Sequence, residues 1–207
     1  MLIAHKIGLK PNNVQSTYFV RASGTARFAY NWALAEWTKQ YEAHKTDASL
    51  PTPSQVALRR QLNSVKRQQF PWMLEVTKNA PQMAIIQLGV AFKNFFAGHA
   101  SYPTFRKRGV HDRFTLTNDQ FSIDGSRIRI PNLGWVRMRE TLRFVGKIMS
   151  ATISRVADRW FASSKLCSSC GMQLEILPLS IRQWTCLSCN AQHDRDINAA
   201  INLKNLI

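Results

Sequence analysis

Two Cys-x-x-Cys pairs, Cys167-Ser-Ser-Cys170 and Cys186-Leu-Ser-Cys189, hold every cysteine of the chain within one short C-terminal window. Two such pairs on two tight turns can bring four thiolates to one tetrahedral ion, which ties together a segment too small to build its own apolar core. Two disulfides would use the same residues, but the first ten residues are short, alternating and carry Lys6, which is no secretory signal. A redox Cys-x-x-Cys would need only one pair, beside a βαβ pattern. The reading is a structural Zn²⁺ on Cys167, Cys170, Cys186 and Cys189, with four protein ligands leaving no open position for catalysis.

Charge narrows the partner. The chain has 207 residues, 28 basic against 12 acidic, for a formal charge of +16. That exceeds what solubility requires and points to a polyanion, nucleic acid before an anionic membrane surface. No apolar run is long enough to span a bilayer, and no lipidation signal is present. A hydrophobic content of 45% is enough for a core, in one large or two small domains. No targeting segment is visible, which suggests the cytoplasm.

Periodicity divides the chain. Leu2 to Leu9 alternates as a strand ended by Pro11. Asn13 to about His44 is helical, with Phe19, Phe28, Trp32, Leu34 and Ala35 at helical spacing and Gly24 as a break or close-packing point. A second helix starts after Ser54 as cap and carries Val56, Leu62 and Val65. A third runs from about Ala80 to Ala97 with Ile85, Leu88, Phe92, Phe95 and Phe96 on its apolar side. Beyond Gly98 short strands follow at 114–116, 121–123, 127–130, 135–138, 148–155 and 159–162, with Asp124-Gly125 as a hairpin turn. Arg127, Arg129, Arg137 and Arg139 alternate with apolar neighbours and share one sheet face, with few acids to neutralise them. The fold class is α+β: a small β-barrel with an inserted helical bundle, then the ribbon and a short helix.

Several segments together resemble one family. They are Pro11-Asn12, Arg27-Phe28-Ala-Tyr30-Asn31, Ala91-Phe92-Lys93-Asn94-Phe95-Phe96, Tyr102-Pro-x-Phe105-Arg106-Lys107, Ile130-Pro-x-Leu-Gly134-Trp135-Val136, Ser164-Lys-Leu-Cys167-Ser-Ser-Cys170-Gly171 and the terminal His193-Asp-Arg-Asp-x-Asn-Ala-Ala-x-Asn-Leu. The chain resembles TnpB, the OrfB protein of bacterial insertion sequences, related to the type V CRISPR effectors. The resemblance implies a wedge-type β-barrel (1–10 plus 99–163), a helical recognition insert (11–98), a zinc ribbon (164–193) and a RuvC-remnant helix (194–207). It also implies a guide RNA from the transposon end and double-stranded DNA as partners, in a bacterial or archaeal cytoplasm at the nucleoid.

The departure from that family is as informative. Trp160-Phe-Ala-Ser runs directly into Ser164-Lys-Leu-Cys167, where the family carries the RuvC core with a first Asp and a Glu. Asp196 matches the third catalytic position and stands as an orphan. Asp124, Asp158, Glu36, Glu42 and Glu175 have bland turn, inter-strand, helix-surface or loop roles. Two-ion phosphodiester hydrolysis needs several carboxylates to hold its cations, and losing such a charge clamp costs about 4 kcal/mol or more of barrier lowering. The expectation is a nuclease-dead short form, with Mg²⁺ relevant only if activity is retained.

By the same resemblance, Lys78, Gln82, Thr117 and Asn118, and more weakly Thr52, read the DNA motif; their chemistry suits base edges. Arg106, Lys107, Arg108, Arg113, Arg137 and Arg139 contact phosphates, which gives affinity without sequence information. RNA supplies that information. The terminal stripe of Ile197, Ala200, Ile201, Leu203 and Ile207 docks on the barrel, pairs with another copy or stays exposed. Three functions compete: an inactive RNA-guided DNA-binding protein, a decayed nucleic-acid-binding remnant, and a nuclease completed in trans by another copy.

Overall fold

The computed structural model describes residues 4–155, 167–172, 174, 177, 181–195, 197, 198 and 201. They fall into two compact units, 1–155 and 156–207. The strand expected at 159–162, Asp158, Glu175, Asp196 and Ala200, Leu203 and Ile207 of the terminal stripe lie outside the described residues.

In the first unit, β1 (Leu9–Lys10) leads into α1 (Asn13–Thr46). The helix opens with a capping box: Asn12 Oδ1 accepts from Gln15 N–H at 2.9 Å and Gln15 Oε1 accepts from Asn12 N–H at 3.0 Å. It runs without a break through Gly24, where an added Cβ would meet nothing nearer than Arg27 at 3.9 Å. Gly24 is therefore neither a hinge nor a close approach. The inward face of α1 is a small-residue stripe, Ala22, Ala26, Ala29 and Ala33, which lets α3 (Asn79–Phe96) pack close. Leu34 joins this core, Phe19, Phe28 and Trp32 border it, and Ala35 faces solvent.

α2 (Gln55–Gln69) is capped as expected, Ser54 Oγ accepting from Ala57 N–H at 3.2 Å. Its buried pair is Leu58 and Leu62, not Val56, which is exposed. Leu58 stands four residues before Leu62 and so shares its helix face, whereas Val56, six residues before it, does not. Gly89 of α3 faces this helix: a Cβ there would come within 2.8 Å of Gln55 Cβ. A single 3₁₀ turn, Pro71–Glu75, links α2 to α3. α3 buries Ala84, Ile85, Leu88 and Phe92, with Phe92 stacked on Trp37 at 4.2 Å, while Phe96 is exposed.

Five further strands complete this unit: β2 (Arg113–Thr117), β3 (Ser122–Asp124), β4 (Arg127–Ile130), β5 (Gly134–Met138) and β6 (Ser150–Ser154). They form an antiparallel sheet in the order β1-β5-β4-β3 and a separate β2-β6 pair. Among the described residues no ladder closes these into a barrel. The expected N-terminal strand is shorter than its alternation. Residues 4–8 alternate in exposure, but β5 ends at Met138, so only Leu9 and Lys10 find full partners. One more bond, Arg139 N–H to Gly8 O at 2.7 Å, extends the contact. The β3–β4 turn has Gly125 at its first central position with φ +53°, as a type II′ hairpin requires. Ile128, Ile130, Val136, Met138, Phe114, Leu116 and Ile153 share one core with the three helices.

The second unit contains the hairpin β7 (Gln183–Thr185) and β8 (Gln192–Asp194). Among its described residues the buried apolar groups are Leu177 and Trp184, packed with Cys167 and Cys186.

Candidate metal centre and nucleic-acid interface

The four cysteine sulfurs lie within 4.8 Å of one another. Matching knuckles bring them there. Cys167 N–H donates to Met172 O and Cys186 N–H to Ala191 O, while Gly171 and Asn190 N–H donate back to Cys167 O and Cys186 O. Gly171 (φ +77°) and Asn190 (φ +54°) occupy the left-handed region that such tight returns demand. Four thiolates about 2.3 Å from one tetrahedral ion sit about 3.8 Å apart. Cys167 to Cys189 at 3.7 Å and Cys170 to Cys186 at 3.6 Å fit that spacing. Donor chemistry and geometry therefore define a site for one metal ion.

Without an ion the sulfurs compete. N–H groups of Cys189 and Ser188 draw the Cys186 thiol down to about 6, burial opposing. Cys189 receives Ala191 N–H, which lowers it, yet the crowding sulfurs of Cys170, Cys167 and Cys186 together with burial push it up to about 12. A dication reverses that repulsion. His193 was not foreseen as part of the centre. Its Nε2 is 3.0 Å from Cys167 Sγ, hydrogen-bond distance, and its ring leans on Trp184 at 4.8 Å. A metal-bound thiolate can only accept, so with the ion in place the ring would donate to the sulfur. Buried Asn198 accepts Ser168 N–H at 2.9 Å and fastens the terminal segment to the first knuckle.

In the first unit the open face of the four-stranded sheet carries the foreseen arginines. Register aligns Lys10 with Arg137, and Arg137 with Arg127, across β1, β5 and β4. Only Arg127 in this row has an acid, Asp124 at 2.6 Å, and it also lies over the Trp135 ring. Like charges placed directly opposite destabilise a sheet by about 0.2–1 kcal/mol per pair. Arg129 shares this face, and Arg139 is exposed with its side chain folded over Gly8. Lys10 was missed because its parity was legible but its partner strand was not.

Lys78 and Gln82 flank Asn79 in the first turn of α3, and Asn79 ties that turn to Thr117. Buried Asn79 donates to Thr117 Oγ1 at 2.7 Å, and that hydroxyl donates to Asp119 Oδ1 at 2.5 Å. Hydrogen bonds from Thr117 and then Gln120 hold the Asp119 carboxyl below its ordinary 3.8, with Lys78 assisting. Asn118 is exposed beside Thr117, whereas Thr52 lies in the α1–α2 connection. Asn79 and Asp119 are the polar partners sequence reasoning missed.

Arg106 is turned inward. Its guanidinium lies 3.7 Å from the Tyr30 ring centre and donates to Gln87 Oε1 at 3.0 Å. Its backbone is clasped by Asn31, N–H to Oδ1 at 2.7 Å and Nδ2 to O at 3.0 Å. Arg27 pairs with Asp112. Two segments quoted above as separate resemblances, around Tyr30 and Arg106, are thus one structural unit. Burial lowers the Arg106 pKa and raises that of Tyr30, the two groups opposing this in each other. Lys107, Arg108 and Arg113 are exposed. No helix among the described residues is long and apolar enough to cross a membrane.

Two family models match parts of the chain. The family described as "Cas12f1-like, TNB domain" matches residues 135–203, a span that begins within β5 and includes β6 and all four cysteines. A second, described as a helix-turn-helix domain of OrfB IS605 type, matches residues 1–46, where the structure has β1 and the single helix α1. The Escherichia coli (strain K12) protein named "Putative RNA-guided DNA endonuclease InsQ" is 29% identical over 163 residues, 78% of this chain and 40% of that protein. A Streptomyces pristinaespiralis protein named "Putative RNA-guided DNA endonuclease" is 45% identical over 74 residues, 36% of this chain and 18% of that one. The chain spans well under half the length of these relatives. By these matches the chain is similar to the TnpB/OrfB family of insertion-sequence proteins.

Proposed function

We propose that this chain holds RNA and double-stranded DNA without cutting either, as a nuclease-inactive member of that family guided by a transposon-end RNA. The observation that carries this reading is the aligned row Lys10, Arg137 and Arg127, with one acid among three cations. Such a row costs the fold and gains nothing until a polyanion lies along it. Phosphates of guide or target would meet Arg106, Lys107, Arg108, Arg113, Arg137 and Arg139. Lys78, Gln82, Thr117 and Asn118, with Thr52, would face the DNA motif, and the paired RNA would carry the remaining sequence information.

In this reading residues 1–10 and 99–163 serve as a wedge, 11–98 as a recognition insert, and 164–193 as a zinc ribbon whose Zn²⁺ is structural. The ion would supply cross-linking charge to four thiolates and no chemistry. Residues 194–207 are what is left of the RuvC domain. Exposed Ile197 and Ile201 there suit self-association. The protein would work at the nucleoid in a bacterial or archaeal cytoplasm.

Support for the inactive state comes from five of the described carboxylates, each already paired with a cation. Asp112 pairs with Arg27, Glu75 with Arg21, Glu42 with Lys45, Asp124 with Arg127 and Glu140 with Arg143. Asp196 lies outside the described residues, and in this reading it is a relic of the third catalytic position. Mg²⁺ enters only if cleavage is retained. Purification from the native host followed by sequencing of the bound RNA tests the reading. A defined transposon-end RNA is expected; random RNA would favour a decayed remnant, and cleavage only with a full-length homologue would favour completion in trans.

A further inference from the structure

The segment 102–106 contributes to two cavities, one of them bordered by two of the proposed phosphate contacts, Arg106 and Arg113. On one side is a groove of about 650 Å³ whose walls include Trp37, Tyr41, Phe95, Phe96, Tyr102 and Phe105. On the other is a cleft of about 360 Å³ bordered by Arg106, Arg113, His111, Gln87 and Asn94. Thr104 borders both. From these we infer a binding site for single-stranded polynucleotide, the base stacked in the aromatic groove and its phosphate seated in the basic cleft. The inference rests on the nucleic-acid reading above and adds a place for unpaired nucleotides to it.

Three features favour this occupant. First, the aromatics are presented rather than buried: Phe96 is 58% exposed, Phe105 56% and Tyr102 44%, a costly display for a soluble core. They are also held in position. Tyr102 packs edge-on to Phe92 and Phe95 at 5.4 and 5.2 Å, and its hydroxyl meets Thr38 Oγ1 at 3.1 Å. Second, no Asp or Glu is among the described residues that border the cleft. Neighbouring Asp112 is already engaged by Arg27 and by Gly109 N–H at 3.1 Å. His111 Nδ1 accepts Lys107 N–H at 3.0 Å, so the ring's proton is on Nε2, a donor for an anion. Third, the groove's acid, Glu42, is matched by Lys45 at 3.1 Å, so it does not repel a strand. An aromatic platform beside an acid-free cationic cleft fits a stacked base on a charged backbone.

The test uses the full chain and a short fluorescein-labelled oligouridylate, with the matching oligothymidylate and a duplex as comparators, followed by anisotropy across salt. Phe105→Leu and Phe96→Leu change exposed positions and are expected to weaken oligonucleotide binding about tenfold each with an unaltered salt slope. Arg113→Gln is expected to flatten that slope by about 0.7. Tighter binding of oligouridylate identifies RNA as the natural strand, and equal binding extends the site to either. Crosslinking with thiouridine, which needs no variant, is expected at Tyr102 or Phe105. Unchanged affinity in both leucine variants, or crosslinks confined to the Arg127 and Arg137 face, would overturn the inference while leaving duplex binding intact. So would a concentration-dependent dimer abolished by Phe105→Leu, which would make the occupant a second copy. Failure of the wild-type chain to bind any polynucleotide would instead remove the function proposed above.

Discussion

Asn31 closes both backbone hydrogen bonds of Arg106 while the next residue toward the N-terminus, Tyr30, carries that arginine's guanidinium on its ring. One turn of α1 thereby fixes the whole basic segment that follows α3. Arg106→Lys keeps the charge but loses the planar stacking surface and the reach to Gln87. It is expected to cost about 1–2 kcal/mol in urea unfolding, from the stacked pair and one hydrogen bond. An unchanged midpoint would mean that Arg106 is only a surface cation.

Two helical glycines should respond in opposite directions. Gly24 has room for a Cβ, so Gly24→Ala is expected to stabilise the chain by about 0.5–1 kcal/mol through reduced unfolded-state freedom. At Gly89 the same change meets Gln55 Cβ at 2.8 Å and must push α2 from α3. A loss of about 1–3 kcal/mol is expected, the range for overpacking. Paired thermal melts of the two variants check the contrast.

Much of this was legible beforehand, and the failures have a common cause. Ser54 as a cap and Gly125 in its turn depend on neighbours a few residues away, and both were found. The four cysteines also announced themselves through spacing. By contrast, Lys10 joined the cationic row because of a partner distant in the chain. Tyr18 was overlooked for the same reason: its hydroxyl donates to Pro131 O and accepts Thr77 N–H, linking three elements. The barrel expected from short strands is, among the described residues, an open sheet and a separate pair, since strand count does not fix closure.

The metal centre should be removable as a unit. Mass spectrometry under native conditions is expected to find one ion per chain, lost on chelation and absent in Cys186→Ser. His193→Phe should keep the ion but weaken its hold about 10–100-fold, the range for losing a hydrogen bond to a ligand. Retention of wild-type affinity would show that the Cys167 contact is incidental.

Acid titration offers a local check at the start of α3. Asp119 is held below 3.8 by the Thr117 hydroxyl, Gln120 and Lys78, so its folded form favours the carboxylate. Any stability it contributes is present above the unfolded value and disappears as pH falls through the depressed one. Thr117→Val is expected to move the Asp119 carboxyl upward toward 3.8 in an NMR titration. No movement would mean that the Asn79, Thr117 and Asp119 chain does not persist in solution.

The basic sheet face has a quantitative signature. Each of Lys10→Gln, Arg127→Gln and Arg137→Gln is expected to lower the salt slope of duplex binding by up to about 0.9 per phosphate contact removed. Slopes unchanged from the wild-type value in all three would assign duplex binding to another surface.

The most direct measurement incubates the purified chain, its host-derived RNA and a matching DNA with Mg²⁺, and follows both retention of the DNA and its length. A shifted but intact DNA is the expected result. Mg²⁺-dependent strand cleavage that disappears in Asp196→Ala would contradict it.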